Sequence, residues 1–395
     1  MFYSYCMIKR EITDELSKAS SEYPVVTIFG PRQSGKTTLA QKNFPKKKYH
    51  SLEDPDMRLT SQQDPRGFLG GLPDGAILDE IQRVPELLSY IQGIVDTKRS
   101  PGQFILTGSH QPELHQAVSQ SLAGRSAILT LLPFSMQELR KYKHFSDPFE
   151  LIVKGAFPRL HQENLEPERF FNSYVQTYIE RDVRQMINLK DLRRFQMFLT
   201  LLAGRVGQLI NYTSLSNDVG VSSTTIKDWI SVLIASFVVF ELPPYFENIS
   251  KRLVKSPKLY FTDTGLAAHL AGIRSTEQAT RDPIRGGLYE NMIILEIMKQ
   301  RLNHGKKPDL FFYRDTHGNE VDLLILKGRT LIPVEIKSSS TFNDEFHKGI
   351  ENFNTVAGNK SSPGMVLYNG ERSFSFHETN VFNLLLHPEK ISSEL

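Results

Sequence analysis

Short apolar runs alternate with helical stretches along the first third of the chain. Four runs have the length of one buried strand each: Val25–Phe29, Ala76–Leu78, Gln103–Thr107 and Ala127–Leu132. The segment after the first run has no Gly or Pro until Pro45, which predicts a helix. Three dipeptides predict a loop-rich insertion before the second run: Asp54-Pro55, Asp64-Pro65 and Gly70-Gly71. The alternation predicts an α/β domain with a parallel sheet.

A different pattern occupies the middle of the chain. Tyr212–Val219 predicts a short helix, Gly220 a turn, and Ser222 or Ser223 the cap of a longer helix. Apolar residues recur at helical spacing in that second helix: Ile226, Trp229 or Ile230, Leu233 and Ile234. Helix, turn and capped helix is the order of a helix-turn-helix.

Two further apolar runs, 237–242 and 258–261, are predicted to pair as the strands of a wing after that helix. Four basic residues near these strands could contact DNA phosphates: Lys251, Arg252, Lys255 and Lys258. The outward face of the second helix is polar and only weakly basic, which is not typical of a winged helix that reads bases. DNA contact and a wing that merely joins two domains both remain open.

The last third contains a predicted β-hairpin with charged residues on one face. Residues 320–326 and 330–337 alternate around Gly328-Arg329, a loop that favours a type II′ turn. Lys327 opposite Thr330 would place Asp322 opposite Glu335, and Glu320 opposite Lys337. Because like charges directly opposite each other are unfavourable, a divalent cation between Asp322 and Glu335 would explain the pair.

The spacing of Asp322, Glu335 and Lys337 is that of the PD-(D/E)XK nuclease-like core. In that core two acids hold Mg²⁺ or Mn²⁺ and the lysine helps to activate water. Glu290, on a predicted helix from Leu288 to Arg301, resembles the additional metal-binding acid of many such nucleases. Two alternatives stay open: a surface lattice of ion pairs such as Glu320–Lys337, and a nuclease fold that has lost its activity.

The strongest motif lies directly after the first strand. It has Gly, four residues and Gly-Lys-Thr, within Gly30-Pro31-Arg32-Gln33-Ser34-Gly35-Lys36-Thr37-Thr38. This order of strand, glycine loop and helix predicts a phosphate-binding loop whose backbone N–H groups surround the phosphates of ATP. Lys36 is expected to reach the β- and γ-phosphates, and the Thr37 hydroxyl to bind Mg²⁺.

Two acids follow the second strand, at the sheet edge where such domains bind ligands. Asp79 is expected to hold Mg²⁺ through water, and Glu80 to orient and deprotonate the attacking water. Ser109, after the third strand, could bind the γ-phosphate or the water. Arg125 could add positive charge at the nucleotide, in its own chain or in a neighbouring copy, or could pair structurally with Glu138.

Composition limits the classes of function. With 395 residues, 47 basic and 44 acidic side chains and a net charge of +3, the chain predicts two or three domains, and its charge alone does not indicate nucleic acid. The single cysteine, Cys6, excludes an internal disulfide framework and favours a cytoplasmic protein. The longest apolar run, 230–240, is too short to cross a membrane.

These segments together resemble the prokaryotic P-loop ATPases with an AAA_14 domain and a C-terminal DUF4143 domain. Besides the motifs above, the resemblance depends on 178–183 (Tyr-Ile-Glu-Arg-Asp-Val) and 259–266, which includes Asp-Thr-Gly-Leu. It implies three domains: an AAA+-like P-loop domain (1–145), a helical linker and winged helix (146–265), and an α+β restriction-endonuclease-like domain (266–395).

The sequence therefore predicts a Mg²⁺-dependent ATPase coupled to a nuclease-like domain acting on or near DNA. Its alternatives are an ATP-dependent molecular switch, and a DNA-binding regulator with an inactive nuclease fold. Self-association into a homo-oligomer is left open.

Overall fold

The computed structural model describes residues 8–109, 118, 120–145, 147–180, 184, 191–245 and 255–392. Cys6, Lys251, Arg252 and residues 181–183 of the 178–183 motif lie outside these residues. Two compact units divide the chain: Met1–Phe134 with Ala235–Phe237 and Leu302–Lys306, and Ser135–Ile234 with Val238–Arg301 and Lys307–Leu395. Both the predicted middle and C-terminal domains fall in the second unit, and their separation stays a prediction. Within the described ranges no helix has the length and apolar character needed to cross a membrane.

A five-stranded parallel sheet forms the centre of the first unit, as predicted. Its strands are β1 (Val25–Phe29), β2 (Lys48–Ser51), β3 (Ala76–Asp79), β4 (Phe104–Gly108) and β5 (Ser126–Thr130). Their order is β2-β3-β4-β1-β5, so β1 lies between β4 and β5. The carboxyl ends of β1, β3 and β4 therefore meet at one edge of the sheet.

Helices cover both faces of this sheet, over two clusters of buried apolar side chains. They are α1 (Thr13–Glu22), α2 (Lys36–Asn43), α3 (Pro55–Gln63), α4 (Pro65–Gly70) and α5 (Leu87–Lys98). The predicted loop-rich insertion is wrong, because both Asp-Pro pairs start helices. The Asp54 carboxylate accepts from the backbone N–H groups of residues 56 and 57, Asp64 accepts from that of Gly67, and each following proline takes the first helical position.

The second unit contains most of the helices. They are α6 (Met136–Arg140), α7 (Pro148–Lys154), α8 (Pro158–Gln162), α9 (Pro167–Tyr174), α10 (Leu192–Ala203), α11 (Tyr212–Val219), α12 (Ser223–Ala235), α13 (Thr264–Leu270), α14 (Thr276–Arg281), α15 (Arg285–Asn303), α16 (Lys348–Ala357) and α17 (Glu389–Ser392). A turn of π-helix, Val175–Ile179, follows α9.

The helices and strands expected for a winged helix are present. Gly220 has a left-handed φ of 74° between α11 and α12, and the Ser222 hydroxyl accepts from the Thr225 backbone N–H at 3.0 Å. Trp229 is buried against two phenylalanines of α10. Strands β6 (Val239–Leu242) and β7 (Lys258–Phe261) pair antiparallel. Whether this arrangement acts as a winged helix stays a prediction.

A mixed six-stranded sheet forms the C-terminal part of the second unit. Its strands are β8 (Leu310–Arg314), β9 (Glu320–Lys327), β10 (Thr330–Lys337), β11 (Met365–Tyr368), β12 (Phe374–Phe376) and β13 (Thr379–Phe382), in the order β12-β13-β11-β10-β9-β8. The β9–β10 register confirms the prediction, with Thr330 opposite Lys327. Only Gly328 of the two loop residues has a positive φ, 64°, as a type II′ turn requires.

Candidate functional site

The loop after β1 curls back over the sheet edge in the way that its glycines allow. Gly35 has a left-handed φ of 92° and directly precedes α2. A Cβ atom on Gly30 would lie 2.1 Å from the carbonyl oxygen of Leu131, so a larger residue does not fit there. The N-terminus of α2 therefore follows the loop directly, and the N–H groups of a helix's first turn attract phosphate.

Polar side chains of the loop are buried inside this curl. The Lys36 ammonium donates to the carbonyl oxygens of Gly30 at 3.0 Å and Pro31 at 2.8 Å. Ser34 Oγ and Gln33 Oε1 are buried and have no hydrogen-bond partner among the described residues. Such unsatisfied groups are unfavourable in a closed protein, and they fit a loop built to surround a bound polar group.

Arg10 holds this loop from beneath, and the sequence analysis missed it. Its guanidinium donates to the carbonyl oxygens of Ser34 at 2.8 Å and Leu132 at 2.6 Å, and lies 4.9 Å from the Phe134 ring centroid. Because its partners lie 24 and 122 residues further along the chain, no local sequence pattern indicates this role.

Asp79, at the end of β3, receives three hydroxyl donors. The Thr37 hydroxyl lies 3.0 Å from Oδ1, the Tyr49 hydroxyl lies 2.8 Å from Oδ2, and Thr107 donates to Oδ1 as well. Burial, helped by the charge of Asp79, raises the pKa of Tyr49 to about 12, so this phenol stays a donor at neutral pH. A hydroxyl beside a carboxylate is the all-oxygen donor set that Mg²⁺ prefers.

Glu80 follows in a left-handed backbone conformation, with φ 58° and ψ 47°. Its carboxylate accepts from the side-chain amide of Gln82, and the same Nε2 donates to Ser109 Oγ at 2.8 Å. Gln82 Oε1 is buried and has no partner within the described part of the chain. Gln82, which the sequence analysis did not select, thus connects the predicted base to the predicted phosphate sensor.

Arg125 lies elsewhere. It directly precedes β5, and its carbonyl oxygen accepts from the N–H of Val25 at the start of β1, roughly 13 Å of strand away from the loop. Its guanidinium makes a two-pronged ion pair with Asp96, with Nη2 2.9 Å from Oδ2. Both the predicted pairing with Glu138 and the predicted contact with nucleotide in its own chain are therefore wrong. A contact in a neighbouring copy stays a prediction.

The second predicted site is a buried cluster of charges on the C-terminal sheet. Lys337 Nζ lies 2.9 Å from Asp322 Oδ2 and also contacts Glu335 Oε2. The backbone N–H of Ile336 donates to the same Asp322 oxygen at 2.9 Å. Burial and the charge of Asp322 raise the pKa of Glu335 well above its usual range, whereas Lys337 and Lys258 outweigh burial and lower the pKa of Asp322.

A second lysine enters the cluster from β7. Lys258 Nζ lies 3.0 Å from Glu290 Oε1 and 2.7 Å from Glu320 Oε1, and the Tyr260 hydroxyl also donates to Glu290. The predicted phosphate contact of Lys258 is wrong, because this side chain is buried. The predicted Glu320–Lys337 pair is wrong too, because each of the two side chains has other partners. Burial raises the pKa of Glu290 to about 7, although Lys258 acts in the opposite direction.

Four carboxylates therefore face two ammonium groups and the Arg314 guanidinium, whose Nη1 lies 3.5 Å from Glu320 Oε2, which leaves one negative charge when all are ionised. Among the described residues no group of three or more His, Cys, Asp or Glu side chains is arranged as a ready-made metal site. In this structure the lysines lie between the carboxylates.

Three family models match successive parts of the chain: AAA_14, an AAA domain, over residues 22–140; DUF8612, a domain of unknown function, over 146–277; and DUF4143, also of unknown function, over 285–386. An uncharacterized protein of Mycobacterium tuberculosis is 31% identical over 345 residues, which cover 85% of this chain and 76% of that protein. The chain belongs to the AAA_14/DUF4143 family of P-loop ATPases.

Another relative in this comparison is an uncharacterized protein of Haemophilus influenzae, 22% identical over 374 residues that cover 84% of this chain and 87% of that protein. Among solved structures, a Walker-type ATPase of Pyrococcus abyssi matches with a TM-score of 0.41 and 16% identity, over 66% of this chain and 94% of that one. Thermotoga maritima RuvB matches with a TM-score of 0.32 and 21% identity, over 59% and 89%.

In this AAA_14/DUF4143 protein the AAA-type domain brings together five predicted side chains at one sheet edge: Lys36, Thr37, Asp79, Glu80 and Ser109. Four side chains that support them were missed: Arg10, Tyr49, Gln82 and Thr107. Thr107 lies near the carboxyl end of β4, in the same parallel sheet as Asp79, and this position was an available signal because the carboxyl ends share one edge. Tyr49 lies two residues before the end of β2, so no comparable signal indicated its contact.

Proposed function

We propose that this protein hydrolyses ATP with the help of Mg²⁺. The observation that carries the proposal is that one amide nitrogen, Gln82 Nε2, donates to both Glu80 and Ser109, and that Glu80 directly follows the carboxylate that contacts Thr37. A base next to an oxygen-donor pair, opposite a phosphate-binding loop, is the arrangement that hydrolysis of a terminal phosphate needs.

Each residue has a separate task in this proposal. The loop N–H groups and Lys36 bind the phosphates, and Thr37 and Asp79 would hold Mg²⁺, which when bound neutralises phosphate charge. Tyr49 and Thr107 keep Asp79 oriented. Glu80 accepts the proton of the attacking water, and Ser109 contacts the γ-phosphate or that water.

Replacing Lys36 tests the binding half of the proposal. Lys36→Ala should lower the affinity for a fluorescent ATP analogue and abolish phosphate release, because it removes the ammonium group that is expected to bind the β- and γ-phosphates. Lys42→Ala, on the exposed surface of the same helix, is the matched control. Unchanged turnover in Lys36→Ala would contradict the site assignment.

A second activity is favoured by the carboxylate cluster. Its excess negative charge and the oxygen donors of Asp322 and Glu335 fit a divalent cation, and Lys337 lies next to both. The order α15, β8, β9, β10, α16, β11 supports a restriction-endonuclease-like fold. We propose metal-dependent cleavage of phosphodiester bonds there, with DNA or RNA as substrate.

A nuclease assay with Mg²⁺ or Mn²⁺, with and without ATP, on single- and double-stranded DNA and RNA tests this second activity. Nicking that is lost in Glu335→Ala and kept in Lys36→Ala would support it, since the first variant removes a proposed ligand and the second leaves the cluster intact. DNA binding without cleavage under every condition would favour a DNA-binding regulator. A rate of ATP hydrolysis that does not change when DNA is added would favour a molecular switch.

A further inference from the structure

Lys258 is a built-in cation of the carboxylate cluster. Its ammonium lies between Glu290 and Glu320, at 3.0 and 2.7 Å, and its side chain is 5% exposed. It also lies 5.5 Å from the centroid of the Phe312 ring. These contacts give it two carboxylate partners and an aromatic face, which suit a permanently charged ammonium.

The backbone that carries Lys258 is fixed on both sides. The Asn291 side chain accepts from the N–H of Phe261 at 2.8 Å and donates to its carbonyl oxygen at 2.8 Å, so it acts like the peptide group of a neighbouring strand. Leu259 exchanges backbone hydrogen bonds with Gly207 and Gln208. Since side chains alternate along a strand, a shift of one residue would turn Lys258 away from the cluster.

The two lysines divide the four carboxylates into two pairs. Lys337 contacts Asp322 and Glu335, and it is 29% exposed; Lys258 contacts Glu290 and Glu320 and is 5% exposed. The more exposed Lys337 can move toward solvent and make way for a cation, whereas the buried Lys258 is held in place. The second pair already has positive charge from the protein, because Arg314 Nη1 also lies 3.5 Å from Glu320 Oε2, beside Lys258.

We propose that Lys258 takes the place of a second metal ion, so that the cluster binds one divalent cation, between Asp322 and Glu335, while Glu290 and Glu320 bind lysine. This inference rests on the metal site proposed above. It assigns Glu290 to positioning Lys258 instead of to metal ligation, and it makes β7 of the middle region part of the C-terminal site.

Counting bound Mn²⁺ tests this. The full-length chain without nucleotide is titrated with Mn²⁺, and the free ion is measured by electron paramagnetic resonance. An Asp79→Asn background removes the metal ligand of the P-loop site. The parent should bind one ion. Lys258→Met, which keeps the side-chain length and removes the charge, should bind two. Adding Glu290→Gln to Lys258→Met should restore a count of one.

A parent that binds two ions, or a folded Lys258→Met variant that binds one, would overturn the inference and leave the proposed metal site standing. No Mn²⁺ binding in either protein would overturn the metal site itself. The affinities give a second measurement that does not need Lys258→Met to fold. Asp322→Asn should weaken Mn²⁺ binding at least about tenfold more than Glu290→Gln does, because only Asp322 is a ligand. Equal losses would refute the assignment of Glu290.

Discussion

Gln82 offers the sharpest test of how the ATP site works. Its side-chain amide donates to the Glu80 carboxylate and to Ser109 Oγ at 2.8 Å, so it fixes both groups that are proposed to face the terminal phosphate. Gln82→Leu keeps the volume of the side chain and removes both hydrogen bonds. The contacts of the phosphate-binding loop with Lys36 are left unchanged.

The size of the effect follows from the bonds that are lost. A hydrogen bond to a charged group contributes about 1.5–3 kcal/mol, and the low end applies here because Glu80 is only partly buried. About 1.4 kcal/mol corresponds to a tenfold change in rate. We therefore expect kcat for ATP to fall roughly tenfold in Gln82→Leu while KM changes less than about twofold, since positioning of the base acts on the transition state.

A steady-state assay of phosphate release over a range of ATP concentrations measures both constants. Gln63→Leu, an exposed glutamine at the end of α3, is the matched control and should behave like the parent. An unchanged or higher kcat in Gln82→Leu would refute the positioning role. A change confined to KM would show that Gln82 acts in binding.

Three further predictions concern other parts of the chain. Glu80→Gln should bind ATP with parental affinity and retain it unhydrolysed, because only the base is lost; rapid turnover in a single-turnover assay would exclude that role. Gly30→Ala should lower the free energy of unfolding by about 1–3 kcal/mol in urea, since its Cβ would lie 2.1 Å from the Leu131 oxygen, whereas Gly70→Ala, with open space around it, should not. Glu290→Gln should flatten the pH dependence of the free energy of unfolding, measured in EDTA. Because the pKa of Glu290 is raised to about 7, its stabilising contribution is complete below its ordinary pKa and is lost as the pH rises to about 7. The loss in the parent should reach up to about 3 kcal/mol. Parallel profiles for the two proteins between pH 4.5 and 7.5 would contradict this.

Local patterns predicted what depends on neighbouring residues. The P-loop spacing, the helix pair 212–219 and 223–235, and the hairpin register all follow from periodicity and turn residues, and the structure has them where they were expected. The Asp-Pro pairs were interpreted as loops because the same residues serve turns and helix starts. Only the backbone hydrogen bonds that the Asp54 and Asp64 carboxylates accept distinguish the two.

Side chains brought together by packing could not be predicted in this way. Lys258 was assigned to a solvated wing because its run is basic, yet its partner Glu290 lies 32 residues away on another element. Arg125 was assigned to the nucleotide from its motif alone, whereas its position at the amino end of β5 and its pair with Asp96 depend on the sheet order. A motif or a local charge pattern alone does not indicate which side chain packing will bring to Lys258 or Arg125.

The contacts of Lys258 with acids from a later segment of the chain also affect how truncated fragments of this protein should be chosen. Residues 146–277 and 285–386 match separate family models, yet the lysine lies in the first segment and all four acids lie in the second. A truncated clone that begins at residue 266 would retain every carboxylate and discard one of the two ammonium groups. The metal affinity and stoichiometry of such a fragment would differ from those of the full-length protein. Metal-binding and cleavage assays should therefore use the full-length chain.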